Sequence, residues 1–307
     1  KATAEAREAE QRKRRKVQLA LAAALVGLLL GGGAFAWWQN EQVQFVRQRE
    51  GRNAEAVAAL LDHSEEALRA GDAAKAAVAL DAARKRSAEG GAEEEAPRLG
   101  RLDADLALVR DLDAVDQFRW TVAENKLPDW AVVATRTREA LTRFGADPDA
   151  VSADDAAARV SDSVVRERIV SALDRLLRQE KTAAVRAVLR LVDADPYRDA
   201  VRDAVLADDG AKIAELLGQP AALEQPPGFA AFLGDSRAIP WERRRQLLQV
   251  AVTRRSGDLG LLMTLGQTYH YQQDGANEML RWYQAAVAAA PGNAAAHSNL
   301  GAALHVK

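Results

Sequence analysis

LLMTLGQTYH, residues 261–270, returns as AHSNLGAALH at residues 296–305, so that Leu265-Gly266 falls on Leu300-Gly301 and His270 on His305. The same displacement of 35 residues lays Gln249 on Gln284, Ala251 on Ala286, Val252 on Val287 and Gly257 on Gly292. A repeat of this length, written in helix-forming residues, describes a helix hairpin that cannot bury its apolar face alone and stacks on copies of itself.

The residues inside the period resemble the tetratricopeptide repeat. Its first-helix signature is read here as Leu262-x2-Leu265-Gly266-x2-Tyr269, and its second helix closes with Tyr283, Ala286 and Pro291. Gly266 and Gly301 let helices approach, Leu262, Leu265, Tyr269, Tyr283, Ala286 and Leu300 fill the space between them, and Pro291 ends the hairpin. Leu262 stands where the family has Trp, the period is one residue long, and Met279 takes a position usually held by a small residue. The resemblance covers Leu247 to Lys307, and further units are expected beyond Lys307. It implies a groove lined by first helices, where Met263, Gln267, His270, Ser298 and His305 would meet a protein or peptide ligand.

Upstream, Pro220, Pro226, Pro227 and Pro240 predict a connector over residues 219–240 and a domain boundary there. Ahead of it the period is helical: Val165, Ile169, Leu173 and Leu176 share one face, as do Val185, Val188, Leu189 and Val192. Helices are predicted over 131–144, 163–178, 182–192 and 196–207, with starts at Ser152 and at Asp195-Pro196. Residues 41–90 read as a long helix that turns at Gly71-Asp72 into a hairpin, and 39–218 as one helical region.

At the N-terminus, residues 1–16 form a basic helix ending in Arg12, Lys13, Arg14, Arg15 and Lys16. Val17–Trp38 follows with 22 uncharged residues, about 33 Å of helix at about 1.5 Å per residue. The expectation is a single membrane span, N-terminus cytoplasmic by the positive-inside bias and the larger part extracytoplasmic, with Trp37 and Trp38 at the outer interface. Partners would then be the lipid bilayer and, through the strip Gly31–Gly33, a second copy by self-association. The alternative is a signal peptide cleaved near Ala34-Phe35-Ala36, releasing a secreted or periplasmic scaffold.

Composition agrees with an all-α chain: aromatics are only 5%, and Ala, Leu, Arg and Glu dominate. A net charge of −2 gives no footprint for nucleic acid, which is not expected as a partner. Cysteine is absent, which excludes disulfides and thiolate chemistry, and His63, His270, His297 and His305 show no metal-binding spacing. Neither Asp154-Asp155 nor Glu93–Glu95 reads as more than a helix start and a solvated turn. No catalytic, cofactor-binding or metal residue is therefore assigned.

The order of basic run, apolar span, paired Trp, Ala-rich helices, Pro-rich connector and repeat resembles the C-terminal part of bacterial transmembrane serine/threonine protein kinases. The residues behind it are Arg12–Lys16, Val17–Trp38 and Leu262–Pro291. The resemblance implies a kinase domain ahead of Lys1, which would bring ATP and Mg, and a non-catalytic sensor half here. No Gly-rich loop, His-Arg-Asp or Asp-Phe-Gly occurs in the chain, so no catalytic residue carries over.

Overall fold

The structure, a computed structural model, describes residues 2–121, 127–269 and 275–306, with side chains described at Leu21 and over 37–121, 127–269 and 275–305. Among the described residues there are fourteen α-helices, two short 3-10 turns and no strand, so the fold is all-α. The chain forms two compact units, one made of Lys1–Leu60 with Asp81–Pro97, the other of Leu61–Leu80 with Arg98–Lys307.

The first unit is built on α1 (Ala2–Arg69) and the end of α2 (Ala73–Ser87). Asn53 donates from Nδ2 to Arg86 O at 2.9 Å, which also accepts from Glu89 N, and to Gly90 O at 2.7 Å, tying α1 to the end of α2 and the turn after it. Gly91 has φ +79°, and a Cβ there would lie 2.6 Å from Glu50 Cα, so this turn requires glycine.

Among the described residues no helix is long and apolar enough to cross a membrane. The transmembrane helix expected at Val17–Trp38, and the single-pass localisation built on it, are corrected accordingly. The backbone does not stop where the apolar letters stop: α1 runs unbroken from Ala2 through Trp38 into the charged stretch Glu41–Arg69. Charged groups at membrane depth cost a few kcal/mol each, so that rod as a whole does not read as a span. The side chains of Arg12–Lys16 and Gly31–Gly33, on which topology and self-association were read, lie outside the described residues.

In the second unit the chain turns at Gly71, φ +79°, as expected, and continues through α3 (Ala96–Trp120), α4 (Trp130–Phe144), α5 (Ala153–Ser161), α6 (Arg166–Glu180), α7 (Ala183–Val192), α8 (Pro196–Leu206) and α9 (Gly210–Gly218). The expected stripes are buried: Ile169, Leu173 and Leu176 on α6, and Val185, Val188, Leu189 and Val192 on α7. Ser152 caps α5 by accepting from Asp155 N, and Asp195 caps α8 by accepting from Arg198 N. Helix α6 begins at Arg166 rather than at 163, because Asp105 takes the Ser163 hydroxyl at 2.7 Å and Val164 N at 3.1 Å and holds those residues out of the helix.

The segment 219–240 is more ordered than a connector. It holds a 3-10 turn at Pro220–Glu224 and a helix, α10 (Pro227–Gly234), for which Pro226 and Pro227 supply the cap and first turn. Proline at a helix start costs no hydrogen bond, so these prolines begin structure instead of breaking it. Helix α10 packs on α6, on α11 (Trp241–Arg254) and on α12 (Leu259–Gln267), and α13 (Ala276–Ala289) and α14 (Ala294–Val306) complete the chain.

Candidate functional site

Helices α10 to α14 form a succession in which α10 packs on α11, α12 on α10, α11 and α13, and α14 on α13. Close approach is built into the sequence. A Cβ on Gly266 of α12 would lie 2.5 Å from Tyr283 Cε1 of α13, and one on Gly234 of α10 would lie 2.6 Å from Leu248 Cδ2 of α11. Each glycine thus seats a large side chain of the helix that follows. Leu233-Gly234, 32 residues before Leu265-Gly266, makes the same kind of contact, which sequence reasoning missed because prolines flank it and the interval differs from 35.

The helix starts repeat as well. Asp258 Oδ1 accepts from Leu261 N at 3.0 Å, and 35 residues later Asn293 Oδ1 accepts from Ala296 N at 2.9 Å. Both satisfy first-turn donors, so the repeat preserves capping chemistry beside packing chemistry. The pair was legible next to the aligned Gly257 and Gly292.

Of the residues expected to pack, Leu262, Leu265, Gly266, Tyr269, Tyr283 and Ala286 are buried, Leu300 is half-buried, and Pro291 and Gly301 are exposed. Tyr269 is clamped by α11: Arg245 lies 3.6 Å above its ring and Gln249 Nε2 donates to its hydroxyl at 3.4 Å. Arg245 also stacks on Trp241 at 3.9 Å and donates to Thr268 O at 2.7 Å, which fixes the end of α12.

The residues expected to line a groove are not brought to one surface. Met263 is fully buried in the cluster shared by α10 to α14, so it faces the core. Gln267 is half-buried, Ser298 and His305 are exposed on α14, and His270 lies outside the described residues. What α14 does expose is Gly301, whose Cβ would meet nothing within 4 Å, and Leu304, 58% exposed.

Behind the array sits a buried ionic cluster. Asp116 of α3 accepts from Arg119 Nε at 2.7 Å and from Arg168 Nη2, and Arg175 Nη2 lies 3.6 Å from it. Burial alone would push the Asp116 carboxyl up, but Arg168, Arg175 and Arg119 together hold it far below the usual carboxylate range. A folded-state value below the unfolded one contributes stability that is complete above about pH 4 and is lost as pH falls through that range toward the folded value. Burial pushes the Asp105 and Asp113 carboxyls the other way, so the comparison of slopes isolates Asp116. Denaturant titrations from about pH 6 to about pH 3 are expected to show a shallower loss of stability for Asp116→Asn than for the wild type; parallel curves would refute the assignment.

No family model, curated protein or solved structure matches the chain. Among the described residues, no group of three or more His, Asp or Glu side chains could hold a metal ion.

Proposed function

We propose that the chain is a protein-interaction module of tetratricopeptide type, an array of stacked hairpins that takes up a helical segment of a protein partner. The array is α10 with α11, α12 with α13, and α14 as the first helix of another unit. The observation that carries the reading is the row of Leu-Gly pairs: Gly234 and Gly266 each seat a large side chain, while Gly301, third in the row, is open beside exposed Leu304. A partner helix that brings a bulky apolar residue onto Gly301 would repeat the contact that Tyr283 makes with Gly266. Ser298 and His305, exposed on the same helix, would supply the polar rim.

Selection of displayed helical peptides against the chain tests this. Binders with a bulky apolar anchor are expected, and Gly301→Leu or Leu304→Glu is expected to weaken them by about tenfold or more, the loss of one buried anchor. Binders indifferent to both substitutions would overturn the reading.

The resemblance to the non-catalytic half of a serine/threonine kinase is a second proposal, supported by the repeat Leu262–Pro291. The sequence preceding Lys1 tests it: a Gly-rich loop and a His-Arg-Asp segment would sustain it, and an uninterrupted different domain would end it.

A further inference from the structure

Between α4, α6 and the end of α10 lies a recess lined by Arg175, Arg178, Gln179, Thr137, Trp130 and Asp235, with a cavity volume of ≈ 10 Å³. That is room for one water-sized group. Its walls are mainly apolar, Val133, Ala134 and Leu176 among them, and a cationic cluster stands beside it. Arg119, Arg168, Arg175 and Arg178 share only Asp113, Asp116 and Asp235 within ion-pair distance, four guanidinium groups on three carboxylates.

Neither arginine lining the recess has a close ion pair. Arg175 Nη2 is 3.6 Å from Asp116 and makes no hydrogen bond although it is buried, and Arg178 Nη1 is 3.8 Å from Asp235. Burial pushes both guanidinium groups down to about 10, since these long pairs compensate it only in part. Asp235 is the one carboxylate on the wall, and its charge is divided between Arg119 at 3.7 Å and Arg178. A buried donor without an acceptor is costly, so the recess gains from an occupant that accepts.

We infer that this recess binds a single carboxylate group, with Arg175 and the Gln179 amide as donors and the 37%-exposed ring of Trp130 against the apolar stem that carries it. A carboxylate suits these donors: one oxygen fills the space of a water against Arg175 and the coplanar second accepts from Gln179, whereas a sulfate or phosphate would press two further oxygens against the apolar wall of Val133, Ala134 and Leu176. The inference does not need the hairpin-array reading, because the donors Arg175 and Gln179 belong to α6 and of the wall only Asp235, at the end of α10, touches the array.

The test is a titration of the full chain at fixed ionic strength, followed by calorimetry and by tryptophan fluorescence. Three probes are used: a capped Ala-Glu-Ala peptide, acetate, and sulfate. The peptide and acetate are expected to saturate and sulfate is not. Arg175→Met is expected to abolish binding, and Gln179→Ala, outside the ion cluster and half-buried, to weaken it about tenfold, the value of one hydrogen bond to a charged group. Tighter binding of the peptide than of acetate assigns the site to an acidic side chain of a partner, and equal binding assigns it to free small carboxylates. A response that sulfate matches, that does not saturate, or that Gln179→Ala leaves unchanged overturns the inference, and the last comparison holds even if Arg175→Met fails to fold.

Discussion

Replacing Asp174 by alanine is expected to lower the unfolding free energy by about 3 kcal/mol, the lower end for breaking a buried ion pair, because Asp193 is left as the one carboxylate on the Arg202 guanidinium. Arg202 is 0% exposed, and every one of its nitrogens is committed: Nε to Asp174 Oδ1 at 2.7 Å, Nη2 to Asp174 Oδ2 at 3.0 Å and to Asp193 Oδ2 at 2.7 Å, and Nη1 to Asp193 O at 2.9 Å. The two-pronged contact joins α6 to α8, and the guanidinium lies 5.2 Å from the Phe229 ring of α10, so three helices lose their common fixture when it goes. Bidentate geometry is what makes the pair worth its desolvation. Removing both partners is a different experiment. Arg202→Met with Asp174→Leu replaces the pair by apolar groups of similar volume and is expected to recover most of the loss, because no charge is then stranded. Equilibrium denaturation of the two variants decides it: a loss below about 1 kcal/mol for Asp174→Ala would mean that Asp193 or water suffices for Arg202.

That pair shows where reading the sequence ends. Asp174 and Arg202 are 28 residues apart, and Asp116 and Arg168 are 52 apart, so on a helical wheel each looks like one more solvated charge. Nothing in local periodicity distinguishes a charge that faces water from one that faces a partner on another helix. The helices themselves were legible, since the stripes on α6 and α7 and the caps at Ser152 and Asp195 obey local rules that tertiary packing then confirmed. The site was legible in part. Gly266 and Tyr283 were singled out for a close approach that the structure contains, but Met263 was assigned to a groove because first helices line one in the family that the repeat resembles. Here Met263 lies in the buried cluster shared by α10 to α14, where α12 packs on α10, α11 and α13. The uncharged run at 17–38 carried a reading by composition alone, and the helix that contains it continues well past it at both ends.

The Leu-Gly row yields opposite expectations at equivalent positions. Gly266→Leu is expected to cost about 3 kcal/mol, the upper end for overpacking a filled core, because even the first carbon meets the buried Tyr283 ring at 2.5 Å. Gly266→Ala gains about 1 kcal/mol of helix propensity and still meets the ring, so a smaller net loss is expected. Tyr283→Ala leaves a cavity and is expected to cost about 3–5 kcal/mol alone, yet combined with Gly266→Leu it should cost less than the two added, since the leucine enters the space vacated. At Gly301 the sign reverses. No atom stands within 4 Å of a Cβ there, so Gly301→Leu is expected to leave stability unchanged or raise it by about 1 kcal/mol through helix propensity. If Gly301→Leu melts like Gly266→Leu, α14 is already packed on that side and the docking edge does not exist. If it folds as well as the wild type and no longer holds a helical peptide, the glycine serves the partner, because among the described residues nothing meets a Cβ there.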